Sequence, residues 1–98
     1  MIVLIPKFRN EDEYRQFTSI AEDRDALCDN VMEYENAVHG CISEMEKAGN
    51  LVRREFINCA DMVRWLSKNG HANIGKFRSV YYANVARDIS LNEPLRDQ

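Results

Sequence analysis

The chain has 98 residues, of which 45% are hydrophobic and 30% are charged, and its formal net charge is −3. This length predicts a single domain, spanning residues 1–98, with a small core. No stretch approaches the roughly 20 apolar residues of a membrane-spanning helix. The apolar residues 1–5 lack the flanking features of a signal peptide, so we expect a cytoplasmic protein without membrane contact.

The chain contains three cysteines, Cys28, Cys41 and Cys59. Their number is odd and no two have the C-x-x-C spacing, so they predict neither a disulfide framework nor a zinc site. We expect all three to be buried as small hydrophobic side chains.

Residues 1–9 are expected to form a short strand or extended arm. The first residues of this segment favour extended backbone, and Pro6 follows them. Because a lone strand has no partner in an otherwise helical chain, the arm either pairs with its copy across a dimer or packs on the helices.

Apolar side chains recur every three and four residues between residues 10 and 48, which is the pattern of one long amphipathic helix. Asn10 and Glu13 are spaced as a capping box, and Gly49 is suited to a left-handed helix end. The recurring residues form the predicted seam: Phe17, Ile20, Leu27, Val31, Tyr34, Val38 and Met45. Such a helix would be roughly 58 Å long, so we expect an elongated protein that dimerises through the seam.

Two shorter helices are expected at residues 51–69 and 73–89, with Asn69 and Gly70 as the signal that ends the first of them. With a turn at Gly49, the first two helices would form an antiparallel hairpin, and the alternative is a continuous rod through that glycine. Residues 90–98 carry Pro94 and no apolar period, and are expected to be a mobile tail. The predicted fold is all-α: a long, coiled-coil-like antiparallel helical hairpin plus a third shorter helix, with an extended N-terminal arm.

The charges are unevenly distributed along the chain. Residues 1–50 contain eleven Asp and Glu against five Lys and Arg, whereas residues 51–98 contain five against eight. Four acids of the first half would stand on the outer face of the long helix, and we call them the acidic row: Glu22, Asp25, Asp29 and Glu33. This row is either a solvated surface or a face that meets a basic partner or imitates nucleic-acid phosphates.

Basic and aromatic residues alternate in the second half of the chain, which suits contacts with phosphates and stacking on bases. The candidate contacts, with a nucleic acid or another partner, are Arg64, Trp65, Lys68, Lys76, Arg78 and Tyr82. The segment has the length of a helix–turn–helix motif, but Leu66, His71 and Lys76 do not fit that motif. The alternative is that the basic half forms salt bridges with the acidic half, within the chain or between copies.

Residues suited to catalysis or metal binding are few. Glu35 and His39 are one helical turn apart, but a di-iron bundle needs such pairs on two helices. The sequence has no glycine-rich phosphate loop and no nucleophile with an evident base. We therefore expect no enzyme activity, no cofactor and no metal.

Together these features predict a small, acidic, non-catalytic protein that binds another protein and forms a homodimer. Its size and charge resemble those of regulators or inhibitors that dock on a larger macromolecular machine, as viral inhibitors of host enzymes do. Two alternatives are a nucleic-acid-binding protein that uses the basic aromatic half and a structural coiled-coil subunit.

Overall fold

The computed structural model describes residues 2–92, without the side chains of Ser90 and Asn92. In chain order the elements are β1 (Ile2–Lys7), α1 (Glu11–Ser19), a short 3-10 turn (Arg24–Ala26), α2 (Val31–Lys47), β2 (Leu51–Phe56), α3 (Cys59–Lys68) and α4 (Gly75–Asn92). This is a small α/β fold, so the all-α prediction is wrong. The predicted tail begins inside α4, and its residues 93–98 lie outside the described residues.

The two strands are parallel, in a register that pairs Ile2 with Leu51 and Lys7 with Phe56. The strand expected at the N-terminus is therefore present, and its partner lies in the same chain. That partner was predicted as helix because Leu51, Val52 and Phe56 also fit an apolar helical spacing. A two-stranded sheet is marginal by itself, and here α4 packs on β1 while α2 packs on β2.

The helix predicted over residues 10–48 is broken in two. α1 ends at Ser19 and α2 begins at Val31, and the longest dimension of the molecule is 42 Å. Asn30 caps α2, because its side-chain oxygen accepts a hydrogen bond from the backbone N–H of Glu33 at 2.9 Å. A capping residue has extended backbone, so a continuous helix cannot pass through Asn30.

Several predicted helix ends are confirmed. The side chain of Asn10 accepts a hydrogen bond from the N–H of Glu13 at 2.9 Å and caps α1. Gly49 and Gly70 follow α2 and α3 with φ angles of +90° and +69°, a conformation that favours glycine. Beyond Gly49, however, the chain enters β2 instead of a second helix, so the helical hairpin, the rod and the coiled coil are wrong.

The core is centred on Phe17 of α1 and on Met62 and Leu66 of α3. Met62 has no exposed surface, and Leu66 is 2% exposed. Phe8, Trp65, Phe77, Tyr81 and Tyr82 are partly buried around these three residues. The core is thus built mainly by α1, α3 and α4, which fixes the relative positions of α1 and α3.

None of the three cysteines is fully buried, contrary to the prediction, although Cys59 packs against the core. Cys28 and Cys59 are half-buried, Cys41 is exposed, and all three are free thiols. Cys41 lies on the outer part of α2, where only Val38 is buried. The apolar residues of α2 therefore cover less of the core than the length of the helix suggests.

Two ion pairs join the acidic first half of the chain to the basic second half. Arg54 of β2 contacts Glu35 of α2 at 2.8 Å, and it also donates to the backbone oxygens of Ile5 and Pro6. Arg78 of α4 contacts Asp23, between α1 and α2, at 2.8 Å. Salt bridges between the two halves were one of the predicted explanations of the charge asymmetry, and these two pairs are examples of such bridges within the chain.

Candidate functional site

An open groove runs between α1 and α3, and we call it the α1–α3 groove. Its volume is about 880 Å³, within the range of small-molecule pockets, but it is open along its length. The lining residues are Gln16, Ser19 and Ile20 on one side and Cys59, Ala60, Val63, Arg64, Ser67 and Lys68 on the other. A groove of this shape suits an elongated surface better than an enclosed ligand.

The apolar residues of the groove are unusually exposed. Ile20 is 39% exposed and Val63 is 40% exposed, and both line the groove. Neighbouring apolar side chains left in water lose the free energy that burial would supply, roughly 25 cal/mol for each Å² covered. The groove is therefore a surface that gains stability when a partner covers it.

The sequence of α3 explains why this side of the helix is left open. Asn58 begins the helix by accepting a hydrogen bond from the N–H of Asp61 at 3.0 Å. Met62 and Leu66 then lie one turn apart and face the core. Val63 follows Met62 by one position, so it points about 100° away from the core-facing side. Val63 is therefore left partly exposed.

Two smaller hollows extend the groove at its ends. One adds Phe8 and Glu13 and shares Gln16 with the groove. The other adds Glu22 and shares Ser67. The three hollows form one crevice along α1 and α3. One end of the crevice lies nearer the start of each helix and the other end lies nearer the end of each helix, so the two helices run in the same direction.

The lining of the groove carries cations and no acid. Arg64 and Lys68 are one turn apart on the α3 rim, and both are exposed. Arg64 contacts Asp61 at 3.1 Å, in a pair where both side chains are more than half exposed. Such a pair contributes little to stability, so the guanidinium can exchange Asp61 for an acid of a partner.

One thiol, that of Cys59, lines the groove. Burial raises the pKa of the Cys59 thiol, so at neutral pH this residue is a thiol and not a reactive thiolate. No group of three or more His, Cys, Asp and Glu residues within residues 2–92 is placed to hold a metal ion. Glu35, one half of the Glu–His pair considered from the sequence, is bound to Arg54.

The acidic row does not lie along one helix. Glu22 precedes the 3-10 turn and accepts a hydrogen bond from the backbone N–H of Asn73 at 2.7 Å. Asp25 lies in that turn and Asp29 follows it, and both are exposed. Glu33 lies in the first turn of α2 and accepts from the N–H of Asp29 at 3.2 Å. The four acids thus cluster on the α1–α2 connection and the start of α2, and their role in binding stays a prediction.

The basic and aromatic residues singled out in the sequence are separated by the fold. Arg78 is 3% exposed, and burial raises the pKa of Tyr82. Trp65 is half-buried and packs against the core. Of the six candidates, the structure brings Arg64 and Lys68 together on the groove, while the exposed Lys76 lies on α4 with its amino group over Phe77.

The predicted seam is divided between separate elements. Phe17 is in the core and Val38 is buried, whereas Ile20 lies at the groove. Tyr34 donates its hydroxyl to the backbone oxygen of Pro6, which ties α2 to the end of β1. Leu27, Val31 and Met45 are half-buried. Much of the seam therefore serves contacts inside one chain, and dimerisation stays a prediction.

The α1–α3 groove itself was not predicted, although the sequence contains a signal for it. Ala60, Val63 and Ser67 lie about one turn apart on the flank of α3 beside the core-facing Met62 and Leu66. Small residues beside an exposed β-branched one mark a surface that another element can approach closely. These residues predict a groove at this place only once α1 is known to lie alongside α3.

Within residues 2–92, no helix combines the length and apolar character needed to cross a membrane. No known protein family, curated protein or solved structure matches this chain. Functional inference therefore depends on the geometry and chemistry of the chain itself.

Proposed function

We propose that this protein is a non-catalytic protein-binding module that receives a segment of its partner in the α1–α3 groove. The observation that carries the proposal is the pair Ile20 and Val63, two exposed apolar residues that line the same open groove. An interface core is more apolar than the rest of a protein surface and depleted in charge, and the floor of this groove has that composition.

Other classes of ligand fit the groove less well. Small-molecule sites enclose most of their ligand, and this groove is open. Nucleic-acid interfaces are polar and strongly positive, whereas only two cations line the groove, at its rim. Regulation or inhibition of a larger machine is compatible with docking of this kind, and the acidic row would then form a second contact.

A site-specific crosslinking experiment tests the proposal. A benzophenone side chain is introduced at Val63, and in a matched control at Val80, which is 44% exposed on α4. We expect one protein to be crosslinked from Val63 and not from Val80. The crosslinked protein is then purified and titrated with the unlabelled chain by calorimetry.

The titration includes two charge variants, at positions of similar exposure in the wild type. Val63→Asp places a carboxylate in the groove and should weaken binding at least about tenfold, because a charge at an apolar interface core is desolvated without a partner. Val80→Asp should bind as the wild type does. Equal affinities for the wild type and Val63→Asp would show that the groove is not the docking site.

A further inference from the structure

We propose that the segment bound in the α1–α3 groove is an α-helix with an apolar stripe flanked by acidic residues. This inference rests on the proposed function of the groove as a protein-docking site. It adds the conformation and the charge of the partner segment, and both follow from what lines the groove.

The backbone of the groove explains why the bound segment is a helix. The two walls are helices, so neither offers the continuous row of free N–H and C=O groups that a strand edge has. Even the hydroxyl of Ser19, which lines the groove, donates to the backbone oxygen of Gln16 at 2.9 Å. A peptide that binds as an added β-strand needs a strand edge to pair with, and these walls offer none. A segment that leaves water here must satisfy its own backbone hydrogen bonds, as a helix does.

The side chains of the groove suit a close helix–helix contact. Ala60 and Ser67 are small and lie about one turn to either side of Val63 on α3. A large apolar side chain of the partner can enter the space above each small residue, and Val63 can fit between two such side chains. Ile20 covers the opposite side of the same contact.

The rim of the groove determines the charge of the partner. Arg64 and Lys68 are four residues apart, so their side chains leave α3 on one face about 6 Å from each other. A partner helix packed beside α3 places residues three or four positions apart at the same separation. Two acids at that spacing would meet both cations, whereas basic residues there would be repelled.

Three labelled peptides of about 16 residues, near the length at which Ala-rich helices become stable, test the inference by fluorescence anisotropy. The first has a leucine stripe with glutamates beside it. The second replaces those glutamates by lysines. The third keeps the composition of the first but carries central prolines, which prevent a helix.

We expect the glutamate peptide to bind about tenfold more tightly than the lysine peptide, because exposed ion pairs give modest but measurable selectivity. The proline peptide should not bind. The double variant R64E/K68E should reverse the preference between the first two peptides. Both replaced side chains are exposed, so an unchanged far-ultraviolet circular dichroism spectrum should accompany the reversal.

Four outcomes would overturn the inference. Equal binding of the proline peptide would mean that the groove does not select a helix. Equal binding of the glutamate and lysine peptides would mean that the partner segment does not need acidic residues beside its apolar stripe. No binding of the glutamate peptide up to about millimolar concentration would reject the partner class. A wild-type dimer that becomes monomeric with Val63→Asp, measured by light scattering, would identify a second copy as the occupant. Crosslinking from Val63 to another protein would still support docking in the first three cases, so the two proposals fail separately.

Discussion

Arg78 of α4 holds Asp23, on the connection between α1 and α2, through two hydrogen bonds of 2.8 and 2.9 Å, one from each terminal guanidinium nitrogen. Arg78 also donates to the backbone and side-chain oxygens of Asn73 at 3.0 Å. Asp23 accepts a further bond from the N–H of Gly75 at 2.8 Å. Because Arg78 is 3% exposed, its charge is compensated almost entirely by this network. The network fixes the α1–α2 connection against the start of α4.

Removing the Asp23 carboxylate should therefore destabilise the fold strongly. Asp23→Ala leaves the Arg78 guanidinium buried without a counter-charge, which costs about 3–5 kcal/mol when one partner of a buried pair is removed. The free energy of unfolding is measured by urea denaturation. The matched control is Asp25→Ala, an exposed acid of the same connection, and it should change the free energy of unfolding by less than about 0.5 kcal/mol. Equal effects of the two substitutions would contradict the importance of the pair.

The same contact makes stability depend on pH. The hydrogen bonds from Arg78 hold the pKa of Asp23 below its ordinary value, and those from Arg54 do the same to the pKa of Glu35. A lowered pKa in the folded state stabilises the protein above the unfolded-state pKa, and this stabilisation is lost as pH falls through the folded-state pKa. We expect the free energy of unfolding to fall below about pH 4.

The variant Asp23→Asn separates this effect from general acid unfolding. It should be less stable than the wild type at neutral pH, and the difference should narrow as the pH falls below about 4, because the carboxylate of the wild type takes up a proton first in the unfolded state. Asp61→Asn, at an exposed ion pair, should give a profile parallel to that of the wild type. A constant difference between Asp23→Asn and the wild type at all pH values would contradict the prediction.

Local signals in the sequence predicted part of this fold. The cap at Asn10, the left-handed glycines at Gly49 and Gly70, and the N-terminal strand are all present. The break in the long helix also had a signal, since Asn30 and Glu33 repeat the spacing of Asn10 and Glu13. The prediction of one continuous helix followed the apolar spacing and not this second capping signal.

The remaining features depend on contacts between distant parts of the chain. β2 becomes a strand because β1, about 49 residues earlier in the register, pairs with it. Arg78 looks like a surface charge in the sequence and is buried only because Asp23 reaches it. The α1–α3 groove likewise requires the two helices to be placed side by side by the core, which apolar spacing within each helix does not specify.

The cap of α2 offers a test that distinguishes the observed break from a continuous helix. Asn30→Ala removes the hydrogen bond to Glu33 and should lower the free energy of unfolding by about 1 kcal/mol. In a continuous helix, the same substitution would stabilise the protein, because alanine is the better helix former. Urea denaturation of the variant gives the sign directly, and Asn36→Ala, at an exposed position inside α2, serves as the control that should be neutral or stabilising.

The predicted nucleic-acid contacts can be tested without disturbing the fold. Replacing Arg78 would break the network with Asp23, so loss of binding in that variant would be uninformative. Lys68 and Lys76 are exposed, and K68E/K76E should keep the helix content and the free energy of unfolding. Since Arg78 and Tyr82 are withdrawn from the surface, we expect the wild type to show no saturable binding to a labelled duplex at about 0.15 M salt. Micromolar binding that weakens steeply with salt, and that K68E/K76E abolishes, would instead establish phosphate contacts and assign these lysines to a nucleic-acid surface.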